Sequence, residues 1–545
     1  MTADTLAALL LARADDDRPG LLFEDRVWSW RSHVAACRGA AAWLDERAPA
    51  GPPHVGVLSD NVPELVFLLG AAALSGRVVV ALNPTRSVGE LTEDARATDV
   101  GLLLWDAPYE KLGRGVADEL GADSAPLSEL TATPNADPAA TSGAPRDTPE
   151  IAPGTLAMLI FTSGTSGRPR AVRITQRKIA VPGVALAAML TPQDVVYCSM
   201  PLFHSGAVMA AYAPAVASGA ALALRRKFSA SGLLPDVRRY GCTYLQYVGK
   251  ALSYVLATPQ LPDDADNPLK IAFGNEGSAT ATRRFGERFG CYVIDAFGST
   301  ETAISVSPDP AGPPGCLGRL PEGIEIRDPL TGRPCPPGRI EDGRLLNPDE
   351  AIGELVNTTG LGLFEGYYNN PGADAERMRE GAFWSGDMAY ADPDGYVFFA
   401  GRGTERLRVD GENLAVAPIE AVLRECPGVI EAAVYPVPDA AAGDQVMAAL
   451  IVEGPFDPAA FAGFLDGRRD LGAKSMPRYV RISGGLPQTP SNKVIKRLLA
   501  KEGWRTPDPI WWRPRSSGFV LLGAEDVAAI EREFTRHGRQ HLLER

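Results

Sequence analysis

No CxxC pair occurs in this 545-residue chain. Its seven cysteines stand apart at 37, 198, 242, 291, 316, 335 and 426, and its five histidines are equally scattered. Such spacing excludes a zinc-finger site and a disulfide framework, and it suits a reducing, cytoplasmic setting. A basic n-region is missing behind Met1, so no secretory signal is expected. No uninterrupted apolar run is long enough to cross a bilayer. The most apolar stretch, Leu65 to Leu82, is broken by Ser75-Gly76-Arg77 and reads as a buried helix followed by a strand. Peripheral membrane contact stays open. Net positive charge is also lacking: at −13 the chain is poorly matched to nucleic acid. Lysine is scarce beside arginine and stands only at 111, 178, 227, 250, 270, 474, 493, 496 and 501. Where a compact ammonium is used so sparingly, its positions are worth following.

What is present is alternating pattern. Val55–Leu58, Val78–Leu82, Val100–Trp105, Leu156–Phe161, Val195–Met200, Ala221–Leu224, Leu269–Phe273 and Tyr292–Ala296 read as strands. Leu21–Trp28 reads as one more short strand. Between several of these lie helical stretches such as Pro63–Ala73 and Glu90–Thr98, and residues 206–218 read as a small-residue helix. This order predicts an α/β fold of parallel sheet and crossover helices. Residues 120–153 are rich in Ala, Pro, Thr, Asp and Ser and read as a loose surface connection. Trp384-Ser385-Gly386-Asp387 reads as a strand end and Asp392–Tyr396 as a hairpin turn. A second βα pattern follows a glycine-punctuated joint at Gly401–Arg406.

The central stretch is Thr162-Ser163-Gly164-Thr165-Ser166-Gly167-Arg168-Pro169-Arg170, directly after an apolar strand. Small residues let backbone N–H groups and hydroxyls close around an anion, and the arginines add charge. No Gly-Lys-Ser/Thr closes it, so it is not a Walker loop. Two further strands end in small-residue turns, Gly274-Asn275-Glu276-Gly277 and Phe297-Gly298-Ser299-Thr300-Glu301. In an open α/β sheet such turns collect ligands beyond the strands' carboxyl ends. Read alone, Thr300-Glu301 also fits a helix N-cap with a first-turn acid, and Asp387 fits a turn residue. Phe297 and Tyr292 are candidates to stack on a base, although such aromatics are usually core.

Taken together, the phosphate-type loop, Phe297–Glu301, Ser385-Gly386-Asp387, Gly401-Arg402 and the late Lys493 resemble, in order, the motifs of adenylate-forming enzymes. Gln246-Tyr247-Val248-Gly249, Gly274-Asn275 and Arg408–Asn413 look most like the fatty-acid transport protein and very-long-chain acyl-CoA synthetase branch. The resemblance covers roughly residues 20–500. It implies a large N-terminal domain of stacked mixed sheets with helices, 1–404, and a small mobile α+β domain, 405–505, with 506–545 as an extension. It implies ATP and Mg²⁺, an acyl-adenylate, and coenzyme A as acceptor. On that resemblance Thr162, Ser163, Gly164, Thr165, Ser166, Gly167 and Arg170 would hold the β- and γ-phosphates, with Gly298 beside the nucleotide. Thr300 would meet the α-phosphate and Glu301 the metal. Asp387 would accept from the ribose hydroxyls, and Arg402 would contact the ribose or a phosphate. Lys493 would bridge the attacking carboxylate and the α-phosphate; Lys496 is its neighbour and reads as a solvated helix residue. His204, Tyr247, Lys250, Gly274, Asn275 and Glu276 would line the acid pocket, and Glu405 would be the hinge.

The chain departs from the pattern in places. Arg170 stands where lysine is usual, and Asn492 where glycine is. Lys250 and Glu276 bring charge to an acyl pocket, either as a pair or toward a polar substrate. That keeps open a different acid or acceptor, such as nitrite activation for diazotisation of an arylamine or transfer to a carrier protein. A transport-linked lipid-binding role without catalysis fits the intact motif set poorly. Acid identity, acceptor and oligomeric state are not set by these residues.

Overall fold

The computed structural model describes the chain except residues 1–3, 48–51, 53, 132–150, 163–168, 250, 276–278, 310, 342–343, 403–405, 410–411, 441–442, 469–470, 472, 489–493, 515–517 and 545. It divides into two compact units. The first comprises Met1–Gly277, Arg284–Ser305 and Leu361–Glu380; the second comprises Ser278–Arg283, Val306–Gly360 and Gly381–Arg545. The joint expected at Glu405 lies outside the described residues.

Two sheets build the first unit. One runs Asp123–Pro126, Val100–Trp105, His54–Leu58, Val79–Ala81, Leu156–Thr162 and Arg170–Thr175 in spatial order. All neighbours are parallel except the last two strands. The other runs Tyr292–Asp295, Ile271–Asn275, Tyr244–Val248, Val195–Cys198, Ala221–Leu224, Pro19–Phe23 and Arg26–Ser29, again parallel up to a terminal antiparallel pair. Strands His54–Leu58, Ala221–Leu224 and Tyr244–Val248 are buried at every residue, as expected where helices cover both faces. The helix Pro63–Ser75 shows why the chain's most apolar run stays in the protein. Pro63 presets its first turn, Gly76 at φ 69° ends it, and every residue but Glu64 is buried. Among the described residues no helix is long and apolar enough to cross a membrane.

The expected alternation is present, with four local corrections. Leu21–Trp28 is two strands of a hairpin, turned at Glu24 with φ 53°. Residues 123–126 are not surface connection but an edge strand beside Val100–Trp105. Residues 205–218 are helical but not uniformly α, because Val208–Tyr212 winds as a π-helix. The strand carrying Asp387 does not end there. It continues to Ala391, and Gly386 at φ 79° lies where its pairing with Gly353–Asn357 shifts register between Trp384 and Met388.

The second unit holds an antiparallel sheet of Gly318–Arg319, Tyr396–Arg402, Ala382–Ala391, Gly353–Asn357 and Ile324–Arg327. It also holds a mixed sheet of Val429–Pro438, Asp444–Val452, Tyr479–Ile482, Ile510–Trp512 and Val520–Leu521. Helices Val416–Arg424 and Pro458–Asp466 bury Ile419, Leu423, Phe461 and Leu465 against one face of that sheet. Lys496–Glu502 and Ala524–Arg536 bury Leu499 and Phe534 against the other. The last forty residues therefore supply two strands and a helix to this layer.

One buried group ties the first unit's core to pH. His33 packs against Trp30, Phe67 and Tyr212, with Nε2 3.1 Å from the Tyr212 hydroxyl. Full burial pushes its ring down to about 3. Above its unfolded pKa of about 6.5 both states are neutral; below it only the unfolded chain takes the proton, so stability falls as pH drops toward 3. By pH 5 this group's contribution is a loss of about 2 kcal/mol. His33→Gln should reduce the pH 7-to-5 loss by about that amount, read by urea unfolding at both pH values.

Candidate active site

The phosphate-type loop joins Leu156–Thr162 to Arg170–Thr175, and Thr162 faces Arg170 across the antiparallel ladder. Ser163–Gly167 lie outside the described residues, but the loop's foot does not. Arg170 is buried, paired with the Glu376 carboxylate, and its guanidinium lies 5.5 Å from the centre of the Tyr367 ring. An ion pair so placed anchors the base of the hairpin.

From the same ring the Tyr367 hydroxyl donates to Glu301 Oε1 at 2.9 Å. Tyr367 is buried, and its phenol is pushed up to about 12 by that burial and by the neighbouring Glu301 carboxylate, so it stays a donor. The turn carrying Glu301 is tightly held. The Thr302 N–H donates to the Ser299 carbonyl at 3.1 Å, and Thr302 sits at φ 53°, a costly conformation for a β-branched residue. The Glu301 carbonyl accepts from the Thr302 hydroxyl at 2.7 Å and from Lys178 Nζ at 2.9 Å. The Thr300 and Ser205 hydroxyls are 3.1 Å apart, either able to donate. No helix starts here, so the capping reading of Thr300-Glu301 fails.

Lys178 rises from the helix Gln176–Ala187, which begins directly after the loop's second strand and is capped by Thr175. Its side chain is fully buried, with Nζ 5.7 Å from the Phe364 ring centre. Burial pulls its ammonium down to about 7, against the attraction of Glu301 and Glu365.

Of the residues expected to line an acid pocket, His204, Tyr247, Gly274 and Asn275 are described. His204 closes a turn onto the Pro201 carbonyl and packs on Phe203 at 4.7 Å. Asn61 clamps that segment, donating to the Met200 carbonyl and accepting from the Leu202 N–H. Tyr247 is buried with its hydroxyl donating to Asp295 at 3.0 Å. Gly274 lies beneath it: a Cβ there would come within 2.2 Å of the Tyr247 carbonyl oxygen, so no other residue fits. The Asn275 carbonyl accepts from the Gly249 N–H at 2.8 Å. Gly298 is an exposed residue of the short strand before the turn. Tyr292 opens its strand at the amino end, away from where ligands collect, and leaves Phe297 as the aromatic candidate. Lys250 and Glu276 lie outside the described residues.

In the second unit Asp387 and Arg402 are register partners on adjacent strands. Asp387 is buried within its strand rather than in a turn. Glu354 accepts from the Gly386 N–H at 2.6 Å, and the Ser385 hydroxyl accepts from the Asp387 N–H at 3.0 Å. Glu405 and Lys493 lie outside the described residues, though Gln488 and Val494 pair on either side of Lys493's segment.

Chain and family meet at this point. The model of the AMP-binding enzyme family matches residues 11–368, and that of the AMP-binding enzyme C-terminal domain matches residues 418–493. The chain belongs to the AMP-binding enzymes. It is 49% identical over 521 residues to the medium/long-chain-fatty-acid–CoA ligase FadD17 of Mycobacterium tuberculosis, covering 94% of this chain and 99% of the relative. It is 45% identical over 555 residues to the steroid-22-oyl-CoA synthetase of Rhodococcus jostii, covering 99% of both. Among solved structures, ATP-bound MatB from Rhodopseudomonas palustris superposes with a TM-score of 0.78 at 25% identity, covering 92% of this chain and 99% of that one. The Bacillus subtilis o-succinylbenzoate CoA synthetase carrying its acyl-adenylate gives 0.73 at 24%, a likeness of fold, covering 90% and 97%. This AMP-binding enzyme is thus an adenylate-forming, acyl-CoA synthetase-like ligase with the expected α/β architecture.

Three contributors carried little sequence signal. Asn61 and Tyr367 sit in no motif pattern, and their partners are 139 and 66 residues away. Lys178 had one hint, the scarcity of lysine.

Lys496 corrects the expectation of a solvated residue. Its Nζ lies 3.0 Å from Oε1 of buried Glu420, which also pairs with Arg424 and accepts from the Val434 N–H. Burial alone would raise the Glu420 carboxyl, but Lys496 and Arg424 outweigh it and hold it below the usual range. Removing one partner of a buried pair strands the other. Lys496→Met should therefore lower the stability of the second unit by about 3 kcal/mol, read by thermal unfolding.

Proposed function

We propose that this enzyme activates a medium- or long-chain fatty acid, or a steroid side-chain acid, as its acyl-adenylate and passes the acyl group to coenzyme A. The observation that carries the reading is the double role of Tyr367: its ring lies under Arg170 at the foot of the phosphate-type loop, and its hydroxyl holds Glu301. One side chain thereby joins the loop for two phosphates to the turn for a third. The relatives named above act on fatty and steroid acids, which supports a large apolar substrate.

In the first half-reaction a substrate carboxylate oxygen bonds to the α-phosphorus of ATP, and the bond to the bridging oxygen breaks to release pyrophosphate. The protein's task is to hold charge in place. We assign Thr162–Gly167 to the β- and γ-phosphates, Thr300 to the α-phosphate, and Asp387 with Arg402 to the ribose. Arg170 holds the loop's foot. Magnesium fits Glu301: one carboxylate with hydroxyls nearby, and no cluster of three metal-ligating side chains among the described residues, is the donor set of an ion held mainly by phosphates. Bound there, it would neutralise charge on the phosphate oxygens. We assign Lys493 to the attacking carboxylate and α-phosphate, and residues 405–505, hinged at Glu405, to a domain that carries it in and out. In the second half the coenzyme A thiol, giving up its proton, attacks the acyl carbonyl, and AMP leaves with the electron pair.

Pyrophosphate release should be measured with graded fatty acids, steroid side-chain acids, aryl acids and nitrite with arylamines, each with and without coenzyme A. Turnover of the apolar acids to their coenzyme A thioesters is expected; turnover of nitrite or small polar acids alone would overturn the substrate assignment. Lys493→Ala should cut adenylation at least about a hundred-fold while ATP binding, read by calorimetry, persists.

A further inference from the structure

The Lys178 ammonium is a buried cation in contact with the Glu301 turn, and nothing in the mechanism above uses it. It grows from the helix that follows the phosphate-type hairpin, yet its one described hydrogen bond goes to the Glu301 carbonyl, 123 residues away. Burying an ammonium is costly; the Glu301 and Glu365 carboxylates and the Glu301 carbonyl offset part of that cost, and all but Glu365 belong to the one turn. The turn it grips has reason to need a grip. Thr302 sits at positive φ, and its hydroxyl bonds the same carbonyl. Leu363 adds its N–H to the Thr302 carbonyl at 3.2 Å. On the other side of the turn the Glu301 carboxylate meets Tyr367 and the Thr300 hydroxyl meets Ser205.

We propose that Lys178 is a positioning residue: by holding the Glu301 carbonyl it keeps a strained turn in the one conformation that presents Thr300 and Glu301 to ATP and magnesium. The Glu301 side chain can point at the metal only if its backbone cannot relax. The strain at Thr302 favours relaxation, and the hydrogen bonds to the Glu301 carbonyl oppose it. Lys178 also couples the turn to the phosphate loop, since its helix continues from the loop's second strand. This rests on the assignment of Glu301 to the metal made above.

The test is Lys178→Met, which keeps length and removes the donor. Its readouts are calorimetric ATP binding with and without Mg²⁺, adenylation rate, and transfer to coenzyme A from supplied acyl-adenylate. The expected result is about a ten-fold weaker affinity for ATP with Mg²⁺ and a similar fall in adenylation. ATP binding without Mg²⁺ and transfer from the adenylate should stay within about two-fold. Adenylation and Mg²⁺-dependent binding both unchanged in folded Lys178→Met would overturn the proposal. If that variant does not fold, Thr302→Val removes the other donor to the same carbonyl; the same selective loss, about three-fold, is expected, and its absence overturns the idea. Glu301→Gln separates the two claims. If it loses Mg²⁺-dependent binding while Lys178→Met does not, only the Lys178 role falls; if it binds normally, the Glu301 assignment falls first.

Discussion

The large unit depends on a contact between two sheets that share no strand. The phosphate-type hairpin ends the first sheet, and the Thr300-Glu301 turn follows the edge strand of the second. Tyr367 and Lys178 hold them together, one through a carboxylate and the other through a carbonyl. Both side chains are buried, so each bond forms in low dielectric, where a satisfied polar group is strong and an unsatisfied one is expensive. Phosphoryl chemistry of this kind needs charge fixed before the substrate arrives. A junction between two rigid sheets supplies that fixity better than a loop could.

The second unit solves a different problem with a similar device. Its mixed sheet is covered on both faces, and Glu420 sits among them with Lys496 and Arg424. A carboxylate there is tolerable only because two cations and a backbone N–H meet it. The two lysines of the late motif, three residues apart, are therefore assigned unlike duties. Lys496 is pledged to the fold; Lys493 is the one proposed above for chemistry.

Much of this was legible in the chain. Periodicity showed the strands Val100–Trp105 and Leu156–Thr162 and the helix Pro63–Ser75 almost to the residue, because each is strongly apolar and bounded by turn formers. Ordered motifs showed the family. What stayed hidden were features set by neighbours far along the chain. Asp387 lies mid-strand because a register shift against Gly353–Asn357 accommodates the positive-φ Gly386 within the strand. Leu21–Trp28 splits because Glu24 adopts a conformation that its side chain does not advertise. Lys178 looked like any helix lysine until a turn 123 residues away was folded against it.

The family's C-terminal match stops at residue 493, but the sheet does not. Tyr479–Ile482 is flanked on one side by Asp444–Val452 and on the other by Ile510–Trp512, which lies beyond that limit. A chain cut where the match ends would leave this strand as a naked rim, with its N–H and C=O groups facing solvent and the hollow left by Phe534 beside it. Such rims pair with whatever strand is nearest, including copies of themselves. The residues beyond the match therefore complete the sheet, covering the edge of Tyr479–Ile482 and one of its faces, a duty separate from catalysis.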